Sequence, residues 1–301
     1  MRSDRARAGN VFPNDQEVTY VRFRRDAQLD TSQVSDRRSA GPLVAGGGGL
    51  IGVIFLVIQL LGGGGGGTGP SPIGPLGQGS EDLSKECVTG EDANQRDDCR
   101  IVGVVNSVQA YWEDNLPGYE RATTVFYKGQ TQTQCGVGTS DVGPFYCPTD
   151  QTIYIDLGFY DDLRTRFGAK GGPFAEAYVI GHEYGHHIEN LTGVLEKGRS
   201  NATGPQSAGV RVELQADCLA GMWAKGAVDT GFIEELTEQD IQDGLDAASA
   251  IGDDRIQEKV QGQVNPESFT HGSSEQRQRW FLTGYRSTQI SSCDTFAAPT
   301  V

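Results

Sequence analysis

Two histidines four residues apart, His182 and His186, frame a glutamate in the segment His182-Glu-Tyr-Gly-His186. On a helix, residues four apart share a face, with Cβ atoms about 5–6 Å apart. That lets two imidazole nitrogens reach one zinc ion at about 2.0–2.1 Å. Glu183, one residue on, stands beside such an ion rather than on it, in the place of a general base that takes the proton from a zinc-bound water. With 4 His and 17 Glu in 301 residues, chance yields roughly 0.003 such motifs. The apolar run Ala177-Tyr-Val-Ile180 leads into the motif, and histidines at the end of a buried stretch need partners.

A catalytic zinc keeps three protein ligands and one open position. The histidines available are His182, His186, His187 and His271. His187 is turned about 100° around the helix from His186. Glu189 and Gly193 follow where an extended H-x-x-G-x-x-H motif would continue, which disfavours a third histidine. Glu213-Leu-Gln-Ala-Asp217 fits better. Glu213 reads as the third ligand, and Asp217, one turn on, as acceptor of the free N–H of His182, fixing its tautomer and ring orientation. The neighbours Val210, Val212, Leu214 and Ala216 are apolar, against a solvent-facing acidic pair. His271 precedes a capped helix in a loop able to face the cleft. It reads either as a donor to the oxyanion formed at the scissile carbonyl or as a structural loop histidine. Tyr184 and Tyr154 are weaker candidates for the donor role.

The elements that must position these residues follow from local signals. Gly171-Gly172-Pro173 opens the motif helix with proline at its first position, and that helix ends at about Leu191, before Gly193. A second helix is predicted from about Ser207 to Lys225. A third starts at Thr237 with a capping box to Asp240, and a fourth at Ser273 with Gln276 three residues on. Ahead of them, Ile101–Trp112 has helical patterning, while Thr123–Tyr127 and Thr152–Leu157 are β-branched and aromatic and read as strands. The strand Thr152–Leu157 is the expected cleft edge for an extended peptide. The fold class is α+β: a small β-rich front part and a helical back part.

The rest of the chain bounds its setting. Of 42 glycines, many fall in runs at Gly46–Gly49 and Gly62–Gly67. Between these runs lies Leu50–Leu61, nearly all apolar, and residues 42–61 give about twenty uncharged residues, just enough to cross a bilayer. Arg37 and Arg38 precede the run, which puts the N-terminus in the cytoplasm and the rest outside. The expected organisation is 1–41 a cytoplasmic Arg-rich tail, 42–61 a transmembrane anchor, 62–82 a Gly/Pro/Ser-rich linker and 83–301 an extracytoplasmic domain. The protein is then a single-pass cell-membrane protein. The net charge of −15 combines +2 on residues 1–41 with −17 on the rest, and an acidic body of this kind excludes nucleic acid as a partner. All six cysteines follow the apolar run and suggest disulfides on the exported side. Sequence proximity pairs them as Cys87–Cys99, Cys135–Cys147 and Cys218–Cys293.

The pairing of the histidine motif with Glu-Leu-Gln-Ala-Asp resembles the gluzincin clan. More narrowly, the chain resembles a bacterial family of neutral zinc metallopeptidases that are single-span membrane proteins. The resemblance rests on Gly143-Pro-Phe-Tyr-Cys-Pro148, Ala177-Tyr-Val-Ile-Gly-His-Glu-Tyr-Gly-His-His187 and Glu213-Leu-Gln-Ala-Asp-Cys-Leu-Ala-Gly221. It extends to Ser249-Ala-Ile-Gly-Asp-Asp-Arg-Ile-Gln257, Phe269-Thr-His-Gly-Ser-Ser274 with Gln276-Arg277, Cys293-Asp-Thr-Phe296 and, loosely, Val34-Ser-Asp-Arg-Arg38. Residues 62–130 match least. The resemblance implies a zincin-like metallopeptidase domain behind a single transmembrane helix, and a zinc-dependent peptidase acting on protein or peptide substrates. Two other readings stay open: a non-catalytic, zinc-stabilised surface binding or assembly module, and hydrolysis of a non-peptide amide.

Overall fold

The computed structural model describes residues 21–39, 82–287 and 289–301. The chain enters as two short strands, β1 (Arg22–Phe23) and β2 (Val34–Asp36), and resumes at residue 82 with helices α1 (Leu83–Glu86), α2 (Gly90–Gln95) and α3 (Asp97–Asn115). Strands β3 (Thr123–Tyr127), β4 (Gln130–Thr133), β5 (Gly136–Thr139), β6 (Phe145–Cys147) and β7 (Thr152–Asp156) follow. The back half holds α4 (Phe159–Thr165), α5 (Pro173–Leu191), α6 (Ala208–Gly226), strand β8 (Ile233–Glu235), α7 (Glu238–Ala250), α8 (Asp253–Gln261) and α9 (Ser274–Tyr285). The domain is α+β.

The main sheet runs β2-β3-β7-β6, with β2, β3 and β7 parallel and β6 antiparallel. β7 is buried along its whole length and lies between β3 and β6. The expected cleft edge at Thr152–Leu157 is therefore corrected: the edge is β6, a three-residue strand too short to show alternation in the sequence.

Proline at the first position and Gly172 before it start α5 as expected. Gly172 has φ 111°, and Asp243 stands where a side chain there would project. α6 crosses α5 at backbone contact: a Cβ on Gly185 would lie 2.8 Å from the Ala216 Cα. On its other flank α6 meets α9 just as closely, since a Cβ on Gly284 would lie 1.8 Å from the Cys218 carbonyl oxygen. The capping boxes at Thr237/Asp240 and Ser273/Gln276 both form and fix where α7 and α9 begin. Trp223, Phe174, Tyr178 and Phe281 fill the space between these helices.

The segment 21–39 is part of this same body, which corrects its assignment to a separate tail. β1 pairs antiparallel with β8, and β2 pairs with β3. Phe23 is fully buried, and its backbone exchanges two hydrogen bonds with the Asn94 amide, at 2.8 and 2.9 Å. Arg38 binds Asp36 at 2.6 Å and Asp98 at 3.2 Å, so a cation read as membrane flank is used inside the fold. Strands of one sheet lie on one side of any membrane. A single crossing at 42–61 therefore does not separate residues 21–39 from 83–301. The run 42–61, the linker up to residue 81 and residues 1–20 lie outside the described residues. Among the described residues, no helix is long and apolar enough to cross a membrane. The cysteines join as Cys87–Cys99, Cys135–Cys147 and Cys218–Cys293.

Candidate metal centre

The close approach of α5 and α6 at Gly185 decides the geometry of the site. His182 and His186 lie one turn apart on α5, and Glu213 lies on α6 about one turn before the contact at Ala216. One ligand atom from each of the three lies within 4.8 Å of the others. Glu213 Oε2 is 3.3 Å from His182 Nε2, and Glu213 Oε1 is 3.7 Å from His186 Nε2. All three are buried, and Glu213 Oε1 has no hydrogen-bond partner. Two imidazoles and a carboxylate converging with an orphaned buried oxygen fit a zinc ion, whose usual donors are these nitrogens and oxygens. Burial opposes charge on Glu213, but the His186, His271 and His182 imidazoles outweigh it and hold its carboxyl well below the usual range.

The far nitrogen of each histidine is fixed. His182 Nδ1 donates to Asp217 Oδ1 at 2.8 Å, the contact expected from the four-residue spacing. Asp217 also accepts from Tyr178 Oη at 2.5 Å and from Arg277 at 2.8 and 3.0 Å. Burial would raise its pKa, but the Arg277 guanidinium beside it holds it down. His186 Nδ1 shares a hydrogen bond with Glu189 Oε2 at 2.8 Å. Arg277 and Glu189 have no role in the sequence reading. Glu189 carries a local signal, since a residue three after His186 shares its face. Arg277, sixty residues from Asp217, carries none.

Glu183, His271 and Arg277 line the cleft over this site, which measures about 430 Å³. Burial pushes Glu183 up to about 7, against the pull of His182. His271 is held by Asp253, whose Oδ2 accepts the backbone N–H groups of Thr270, His271 and Gly272 at 2.6, 2.7 and 3.0 Å. The Asp253 Oδ1 is 3.4 Å from His271 Nδ1, on the side of the ring away from Nε2. Burial works against charge on His271, but the Glu213 and Asp253 carboxylates outweigh it and raise its pKa. Asp253, eighteen residues away, is a further residue no spacing rule reveals.

The other candidates are placed elsewhere. His187 bridges Tyr146 Oη at 3.0 Å and the Glu120 carbonyl at 2.6 Å, tying α5 to the edge strand β6. Tyr184 shares a hydrogen bond with Thr124 at 3.0 Å, and Tyr154 donates to Asp150 at 2.9 Å. Neither lines the cleft, which removes both as oxyanion donors.

The chain has relatives among known proteins. An uncharacterised protein of Mycobacterium bovis is 52% identical over 224 residues, covering 72% of this chain and 76% of the relative. An uncharacterised protein of Mycobacterium tuberculosis matches to the same extent. The uncharacterised protein YpfJ of Escherichia coli K12 is 49% identical over 183 residues, covering 59% of this chain and 62% of the relative. No solved structure gives a significant match. The family model described as "Putative neutral zinc metallopeptidase" matches residues 22–296, from β1 to the segment after Cys293, and the chain belongs to that family.

Proposed function

We propose that the chain is a zinc-dependent peptidase that hydrolyses extended peptides at the cleft over His182, His186 and Glu213. The observation that carries this reading is the convergence of those three side chains within 4.8 Å, with Glu183 on the same cleft. When bound, zinc polarises the scissile carbonyl and makes an attacking water acidic. Glu183 takes the proton of that water and returns it to the leaving amine. His271, held by Asp253, donates from its Nε2 to the oxyanion. Asp217, anchored by Arg277, holds the ring of His182. The edge strand β6 offers its backbone to an extended substrate. Phe159, Phe167, Ile251 and Ile256 line the cleft and favour apolar side chains.

The location is part of the same proposal. Three disulfides support an oxidising, extracytoplasmic compartment. The apolar run 42–61 supports attachment to the cell membrane, with residues 21–39 and the domain on one face of it.

Glu183→Gln tests the reading. The variant should keep the fold and one zinc per chain, while hydrolysis of a peptide library falls by about 10²–10⁴-fold or more, the worth of general-base help. Loss of zinc in this variant would make Glu183 a ligand. A zinc-loaded wild type that binds a partner without cleaving it, equally in the variant, would favour the binding module.

A further inference from the structure

The carboxylates behind the two histidines have unequal surroundings. Asp217 accepts from a phenol and a buried guanidinium as well as from His182. Its charge is compensated by protein alone. Glu189 is fully buried. Among the described residues its only side-chain partner is His186, and its Oε1 has none. Burial, with the Glu213 and Asp217 carboxylates nearby, raises its pKa well above the usual carboxylate range. A buried carboxyl with an orphaned oxygen is costly in protein alone. Glu189 is also absent from the cleft lining, so it does not touch substrate.

We propose that Glu189 is the positioning residue of His186 at the metal site. This rests on the metal site proposed above. Its Oε2 lies 2.8 Å from His186 Nδ1 and fixes the ring with Nε2 toward Glu213, 3.7 Å away. The two histidines thus differ: the carboxylate behind His182 is itself anchored by Tyr178 and Arg277, whereas the carboxyl behind His186 has no other side-chain partner among the described residues.

The test is zinc affinity, read by competition with a chromophoric chelator on the full chain, beside thermal unfolding of the metal-free protein. Glu189→Leu loses the acceptor, and its affinity should fall about 10–100-fold, the range for groups that orient metal ligands, while its metal-free form unfolds no earlier than wild type. Glu189→Gln keeps the shape and an acceptor and should recover most of that affinity. In ¹⁵N spectra of the loaded wild type, His186 should show a protonated Nδ1 protected from exchange, with that protection lost in Glu189→Leu. Wild-type affinity in Glu189→Leu would overturn the proposal. So would a Glu189→Leu protein whose metal-free form unfolds earlier while the His186 Nδ1 stays protected, because Glu189 would then be packing alone. Failure of the metal site itself reads differently: wild type would bind no stoichiometric zinc.

Discussion

The helices around the metal centre and the sheet in front of them are both buried, yet they are assembled over different distances in sequence. His182, His186 and Glu213 come from two helices that follow each other, held at the spacing that Gly185 permits. The sheet takes β2 from residues 34–36 and pairs it with β3 at 124–126, while β1 at 22–23 pairs with β8 at 233–235. The metal ligands are concentrated in a local unit, and the frame closes around it through pairings of roughly a hundred residues or more. Substitutions in the two regions should therefore separate: the helices govern metal and hydrolysis, and the frame governs stability.

The largest effect should come from the ligands. Glu213→Ala should take zinc from one ion per chain to none by metal analysis, with the metal-free unfolding temperature little changed, and full zinc in this variant would remove Glu213 from the site. Phe23→Ala should do the opposite. Phe23 is fully buried, and its ring lies 2.4 Å from where a Cβ on Gly103 would stand. Truncating such a ring costs about 3–5 kcal/mol, with zinc affinity of the folded fraction unchanged. Denaturant unfolding that shows no loss would detach residues 21–39 from the core.

The smallest effect sharpens the comparison at the join. Glu176, in the first turn of α5, stands 3.5 Å from Arg100 on α3. Burial pushes its carboxyl up to about 7, against the pull of Arg100, from an ordinary value of 4.5. Because the folded value is the higher, the stability it contributes is full below about 4.5 and lost as pH rises through about 7. Between pH 5 and 8, wild type should lose about 2–4 °C more in unfolding temperature than Glu176→Gln, the shift expected for about 1 kcal/mol. Parallel curves would show that Glu176 is ionised throughout.

Legibility in the sequence follows the same division. The motif helix was bounded correctly at Pro173 and Leu191 because a glycine–proline start and a helical repeat are local. The two capping boxes and strands β3 and β7 were legible for the same reason. β1 and β2 were not, since two or three residues inside an Arg-rich stretch show no period and their partners lie far away. β7 was visible as a strand, but its interior place in the sheet depends on β6 pairing beyond it. In the site, spacing revealed Asp217 behind His182, whereas Arg277 and Asp253 reach their partners only through the packing of α9 and α8.

The anchoring of both flanks of the segment 40–81 has a consequence for handling the protein. On one side Arg38 is bound to Asp98, and on the other Cys87 is joined to Cys99, so both flanks are pinned to the first turn of α3. These attachments do not involve residues 40–81. Replacing that stretch with a flexible connector, whose closure entropy grows by only about 0.6 kcal/mol per doubling of length, should therefore leave the unfolding temperature of the domain nearly unchanged.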